Sequence, residues 1–117
     1  MIPSLITAEM KALESSLQAL TQSPSKWLQQ LTRHCLQTPG KQIRPQLVLL
    51  VAGMWGGGIT DQARRGAALV SLLHQASLLH DDVVDMAEQR RGQSTLHADW
   101  GNPTAVLLGD YLIAKAL

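Results

Sequence analysis

Three aspartates in five residues, Asp81, Asp82 and Asp85, followed closely by Arg90 and Arg91, are the part of this sequence best suited to chemistry. At about 100° per residue, Asp81 and Asp85 lie about 40° apart on one helix face with Asp82 alongside, so their carboxylates are expected to point into the same space. Like charges at that spacing weaken a helix by about 0.2–0.5 kcal/mol per pair, and the apolar turns that precede them raise the penalty. Something cationic must offset it. Clustered oxygens with no cysteine nearby suit Mg²⁺, which takes one or two protein carboxylates and fills its octahedron with water and phosphate oxygens. Arginines beside such acids fork onto phosphate, which makes the block a candidate diphosphate site. A solvated acidic helix end with two surface arginines has the same letters. The apolar lead-in from Leu72 favours the site, because it sets the acids at the mouth of a core.

A second group of cations stands earlier, in Lys41-Gln42-Ile43-Arg44-Pro45. Lys41 and Arg44 fall in a loop and the first turn of a helix, where free backbone N–H groups and the positive dipole end already attract anions. Basic residues near a turn are also ordinary solvated surface, and the glycine spacing of a Walker loop is absent. His74 precedes Asp81 by seven residues, at nearly the same azimuth two turns lower. A lone histidine there is more often a satisfied core polar group.

The elements that must position these groups are helical. Leu5, Ile6, Met10, Leu13, Leu17 and Leu20 recur at three-or-four spacing, the mark of an amphipathic helix ending near Thr21. Ser23-Pro24 opens a second by cap-and-proline logic, with Trp27, Leu28, Leu31 and Leu36 inward, and Thr38-Pro39-Gly40 closes it. A third runs from Ile43 or Pro45 to Trp55, stopped by Gly56 to Gly58. Thr60 and Asp61 cap a long helix extending to about Glu88, apolar around much of its circumference and so expected at the centre of a bundle. Gln93 to Gly101, with His97 and Trp100, reads as a polar loop. Asn102-Pro103 then opens a helix still running at Leu117.

Composition agrees: 45% of residues are hydrophobic, 3% aromatic and none phenylalanine, which favours helices over strands in a single domain spanning residues 1–117. A net charge of +1 argues against a nucleic-acid surface. The one cysteine, Cys35, cannot form an internal bridge and fits a reducing cytoplasm as a small buried hydrophobe. No stretch reads as a signal peptide or membrane span.

Taken together, Gly40-Lys41-Gln42-Ile43-Arg44-Pro45, His74-Gln75-Ala76-Ser77-Leu78-Leu79-His80-Asp81-Asp82-Val83-Val84-Asp85, Arg90-Arg91-Gly92 and Gly109-Asp110-Tyr111-Leu112 closely resemble the trans-type polyprenyl diphosphate synthase family in order and spacing. Pro39, Gln42 and Ser94 depart from the family's usual glycine, basic residue and proline. The resemblance implies an all-α antiparallel helical bundle, the N-terminal part of an isoprenoid-synthase fold. It also implies a head-to-tail prenyltransferase that joins an allylic prenyl diphosphate to isopentenyl diphosphate. By that likeness Asp81 and Asp85 bind Mg²⁺ and Asp82 supports the acidic cluster. Arg90 holds the allylic diphosphate, and Lys41, Arg44, His74 and Arg91 hold that of isopentenyl diphosphate. Ala76 and Ser77, five and four residues before Asp81, fall where the family controls chain length, and their small side chains imply a long product.

The family's second aspartate-rich motif has no counterpart here. The sequence therefore reads as half a site, to be completed by the missing half or by a second chain in a homo- or hetero-oligomer. Two alternatives stay open: a non-catalytic partner or regulatory subunit, and a fragment of a class I terpene cyclase. Intact Lys41, Arg44, His74 and Arg91 speak against the cyclase, which needs no second diphosphate site.

Overall fold

Thr60 opens the helix around which the others pack. In the computed structural model, which describes residues 4–19, 22, 24–36, 42–55, 58–90 and 92–116, its hydroxyl accepts from the Ala63 N–H at 3.2 Å and starts α4, Asp61–Val84. Before it come a 3₁₀ turn Ser4–Ile6, α1 Thr7–Ala19, α2 Lys26–Leu36 and α3 Ile43–Met54. After it come the strands β1 Gln89–Arg90 and β2 Gln93–Ser94, α5 Leu96–Trp100 and α6 Asn102–Ala116. The strands form an antiparallel hairpin, Gln89 opposite Ser94 and Arg90 opposite Gln93, with Gly92 at φ 77° in its turn. Expectations resting on Leu20, Thr21, Ser23, Thr38 to Lys41, Gly56, Gly57, Arg91 and Leu117 lie outside the described residues.

The fold is all-α apart from that hairpin, and α4 is its axis, packed along α6 and α3 and touched by α1 and α5. Its Ala67, Leu72, Ala76 and Leu79 are buried, and α6 answers with Ala105, Leu108 and Leu112 at three-and-four spacing. Ile6, Met10, Leu13 and Leu17 close one side as their spacing predicts. At that side, Arg64 forks onto Glu9 at 2.7 and 2.9 Å and reaches Asp61 at 2.6 Å, tying α1 to the start of α4. The guanidinium holds the Glu9 carboxyl below its ordinary range.

Five sequence expectations are corrected. Leu5 is 86% exposed, because the 3₁₀ turn advances about 120° per residue and presents Ile6 to the core instead. Trp27 is 54% exposed: α2 is a peripheral helix, and it turns Leu28 rather than Trp27 toward the core. That helix begins at Lys26, where Ser25 accepts from the Leu28 N–H at 3.2 Å. Finally, α4 stops at Val84 rather than near Glu88, and the stretch after Gly92 holds β2 and α5 rather than a loop.

The early stop has a local cause. The Ala87 N–H bonds the Asp82 carbonyl at 3.0 Å and the Met86 N–H bonds that of Val83 at 3.2 Å, the paired bonds of a Schellman cap. Met86, at φ 53°, takes the left-handed position that glycine usually fills. The turn sends the chain back along α4 into β1. Thr95 then donates to the Ala87 carbonyl at 2.8 Å, His97 bonds the same oxygen, and His34 of α2 bonds the Ser94 carbonyl at 3.3 Å. Cys35 is half-buried, and desolvation pushes its thiol up to about 12, so it is no nucleophile at neutral pH.

Candidate active site

The reversal at Met86 delivers Arg90 to Asp82. The Arg90 guanidinium donates from Nε to Asp82 Oδ1 at 2.9 Å and Oδ2 at 3.2 Å, and from Nη2 to Oδ1 at 2.6 Å. Asp82 is 5% exposed, whereas the Arg90 side chain keeps 38% of its surface in solvent. The pair and the fields of Asp81 and Asp85 hold the guanidinium above its ordinary pKa, so it is a permanent cation. Behind the pair lies a cavity of about 60 Å³ walled by His34, Cys35, Gln75, Leu79 and Thr95.

The three acids therefore do not share one space. Asp82 lies about 100° around the helix from Asp81, far enough to point into the hairpin while Asp81 and Asp85 remain exposed on the open face. No described residue hydrogen-bonds either exposed carboxylate. Among the described residues no three ligating side chains converge. Two free carboxylates one turn apart nevertheless suit Mg²⁺, which is bound by one or two protein carboxylates and takes its other oxygens from water and phosphate.

The same open face continues down α4. His74 meets Arg44 of α3, with Arg44 Nη1 3.2 Å from His74 Nε2. A guanidinium only donates, so Nε2 is the acceptor in this contact. About 10.5 Å of helix separates His74 from Asp81, which leaves room for two phosphate groups along one face. Ser77 is exposed between them, its hydroxyl donating to the His74 carbonyl at 2.7 Å. Ala76 is 0% exposed and belongs to the core. Lys41 and Arg91 fall outside the described residues.

The fold is that of an isoprenoid synthase. The family description "Polyprenyl synthetase" matches residues 25–117, and the chain belongs to that family. It is 40% identical over 114 residues to heptaprenyl diphosphate synthase component 2 of Geobacillus stearothermophilus, covering 97% of this chain and 35% of that one. It is 44% identical over 91 residues to geranylgeranyl diphosphate synthase of Saccharolobus solfataricus, covering 78% and 27%. The crystal structure of heptaprenyl diphosphate synthase from Staphylococcus aureus superposes with a TM-score of 0.87 at 33% identity, over 95% of this chain and 35% of that one. That of polyprenyl synthase from Caulobacter crescentus, complexed with calcium and isoprenyl diphosphate, gives 0.85 at 36%, over 96% and 34%. The chain thus spans about a third of the length of the relatives it matches. No helix among the described residues is long and apolar enough to cross a membrane.

Proposed function

We propose that this chain is the first-acidic-motif half of a Mg²⁺-dependent, head-to-tail polyprenyl diphosphate synthase acting on an allylic diphosphate and isopentenyl diphosphate. The observation that carries the reading is the separation of roles on α4: Asp81 and Asp85 stand free on the open face while Asp82 anchors Arg90 beside them. Bound Mg²⁺ would supply Lewis-acid stabilisation of the departing diphosphate. Asp81 and Asp85 would hold that ion, and Arg90, fixed in orientation, would present its remaining N–H groups to the allylic diphosphate. Arg44 and His74, with Lys41 and Arg91 by family likeness, would hold the diphosphate of isopentenyl diphosphate. Ser77 would flank the path of the growing chain, whose product we place beyond the farnesyl class. That the Caulobacter relative is complexed with calcium and isoprenyl diphosphate supports a metal-diphosphate site in this fold.

Completion from outside these residues is part of the same reading. Ile43, Leu47, Val51 and Met54 lie on one face of α3 with 52–81% of their surfaces exposed, and Trp55 follows at 74%. Such a face on a helix of a soluble bundle is built to be covered. A further part of a synthase, from the same chain or a partner, would cover it and bring the second acidic motif. The name of the Geobacillus relative, component 2, supports a partner subunit in the assembly, and its own length leaves room for the rest of the fold in one chain.

Calorimetry with geranyl diphosphate tests the site. Binding is expected with Mg²⁺ and absent with a chelator, and Asp81→Ala or Asp85→Ala is expected to weaken it more than about a hundredfold. Equal binding in the chelator, or unaffected binding in both variants, removes the metal-bridged site.

A further inference from the structure

Gly109 sits in the interior of α6, where glycine costs about 1 kcal/mol relative to alanine, and the proposed chemistry gives it no task. The packing does. A Cβ placed on Gly109 would stand 2.3 Å from Nε2 and 2.6 Å from Cδ2 of His80. The imidazole lies against bare backbone, so no side chain larger than hydrogen fits while His80 keeps this position. From there His80 Nε2 reaches the Val106 carbonyl at 3.1 Å and Asp110 Oδ1 at 3.4 Å. Val106, Gly109 and Asp110 are one helical turn, so a single turn of α6 receives the ring.

His80 and Asp82 flank Asp81 at about 100° on either side. One is held by α6 and the other by the hairpin through Arg90, while Asp81 between them faces outward. A helix end pinned on both flanks cannot rotate about its axis without breaking a contact. We infer that His80, seated on Gly109, bonded to the Val106 carbonyl and beside Asp110, is a positioning lock that fixes the rotational setting of the last turns of α4. It thereby aims Asp81 and Asp85 at the diphosphate. The positioning role rests on the proposed function, whereas the lock itself is a matter of packing and can be tested apart from it.

A double-mutant cycle separates the two. In the parent chain, Gly109→Ala drives its methyl into the ring, and is expected to lower Tm by about 5 °C. It is also expected to weaken Mg²⁺-dependent geranyl diphosphate binding on the order of tenfold, measured well below Tm, because the carboxylates lose their aim. With His80→Ala already in place the space is empty, and Gly109→Ala is expected to raise Tm through alanine's better helix propensity. The same Tm change in both backgrounds shows that there is no lock. A sign reversal in Tm with diphosphate binding unchanged in Gly109→Ala overturns the positioning role and leaves a packing contact. Absence of binding in the parent chain instead sinks the functional reading, and the positioning role with it, while the Tm cycle still decides whether the ring and the glycine are coupled.

Discussion

Arg90→Ala is expected to cost about 3 kcal/mol of stability and to abolish detectable allylic diphosphate binding, while Asp82→Ala costs about half as much stability. The asymmetry follows from burial. Asp82 is 5% exposed and takes three hydrogen bonds from the guanidinium, so removing Arg90 strands a carboxylate with nothing to replace them. Removing Asp82 instead frees an arginine whose side chain is already 38% exposed and can turn to water. Breaking a fully buried pair costs about 3–5 kcal/mol, and the solvation of Arg90 places this pair at the lower end. Because the two groups form one unit, the double variant should be less destabilised than the sum of the singles. Arg90→Lys keeps the charge without the fork, and is expected to recover part of the stability but little of the binding. Urea denaturation of the four variants decides the order. Equal costs for Asp82→Ala and Arg90→Ala would mean that the pair is a surface contact and does not orient the arginine.

The second large effect is on product length and separates two neighbouring small residues. Ala76 is 0% exposed in the core, so Ala76→Phe forces a ring into a filled space, with an expected loss of about 3 kcal/mol or more. Ser77 is on the open face one turn, about 5.4 Å, below Asp81. Ser77→Phe is expected to leave stability within about 0.5 kcal/mol and, with the completing half present, to shorten the product to the farnesyl class or below. Chromatography of the dephosphorylated products gives the answer. An active Ser77→Phe enzyme with unchanged product lengths would remove Ser77 from the path of the growing chain.

Much of this was legible in the letters, and the misses share a cause. Helix existence followed from spacing, as in Met10, Leu13 and Leu17, and the α4 start from Thr60, because local periodicity and caps determine both. The stop at Val84 was hidden because methionine holds the left-handed cap position where a sequence reading looks for glycine. Missing that stop hid the hairpin, and with it the contact of Arg90 with Asp82, eight residues apart. A helix continued to Glu88 would have carried Arg90 onward instead of back. Asp81 and Asp85 could be placed on one face by counting, whereas Asp82 needed the tertiary partner that draws it inward. His80 escapes a sequence reading for a similar reason: its partner is a glycine twenty-nine residues away, and neither that glycine's motif nor its costly place inside a helix points to the ring.

Condensation by the purified 117-residue chain is the most direct measurement of the half-site account. The chain would be incubated with Mg²⁺, geranyl diphosphate and labelled isopentenyl diphosphate, and extractable product counted over many enzyme equivalents. Mg²⁺-dependent binding of the allylic substrate is expected, with no product above the background without enzyme, if Asp81 and Asp85 hold only one side of the diphosphate and the opposing acidic motif must come from elsewhere. Sustained multiple turnover by the chain alone would contradict it, and would mean that these residues already form a complete site.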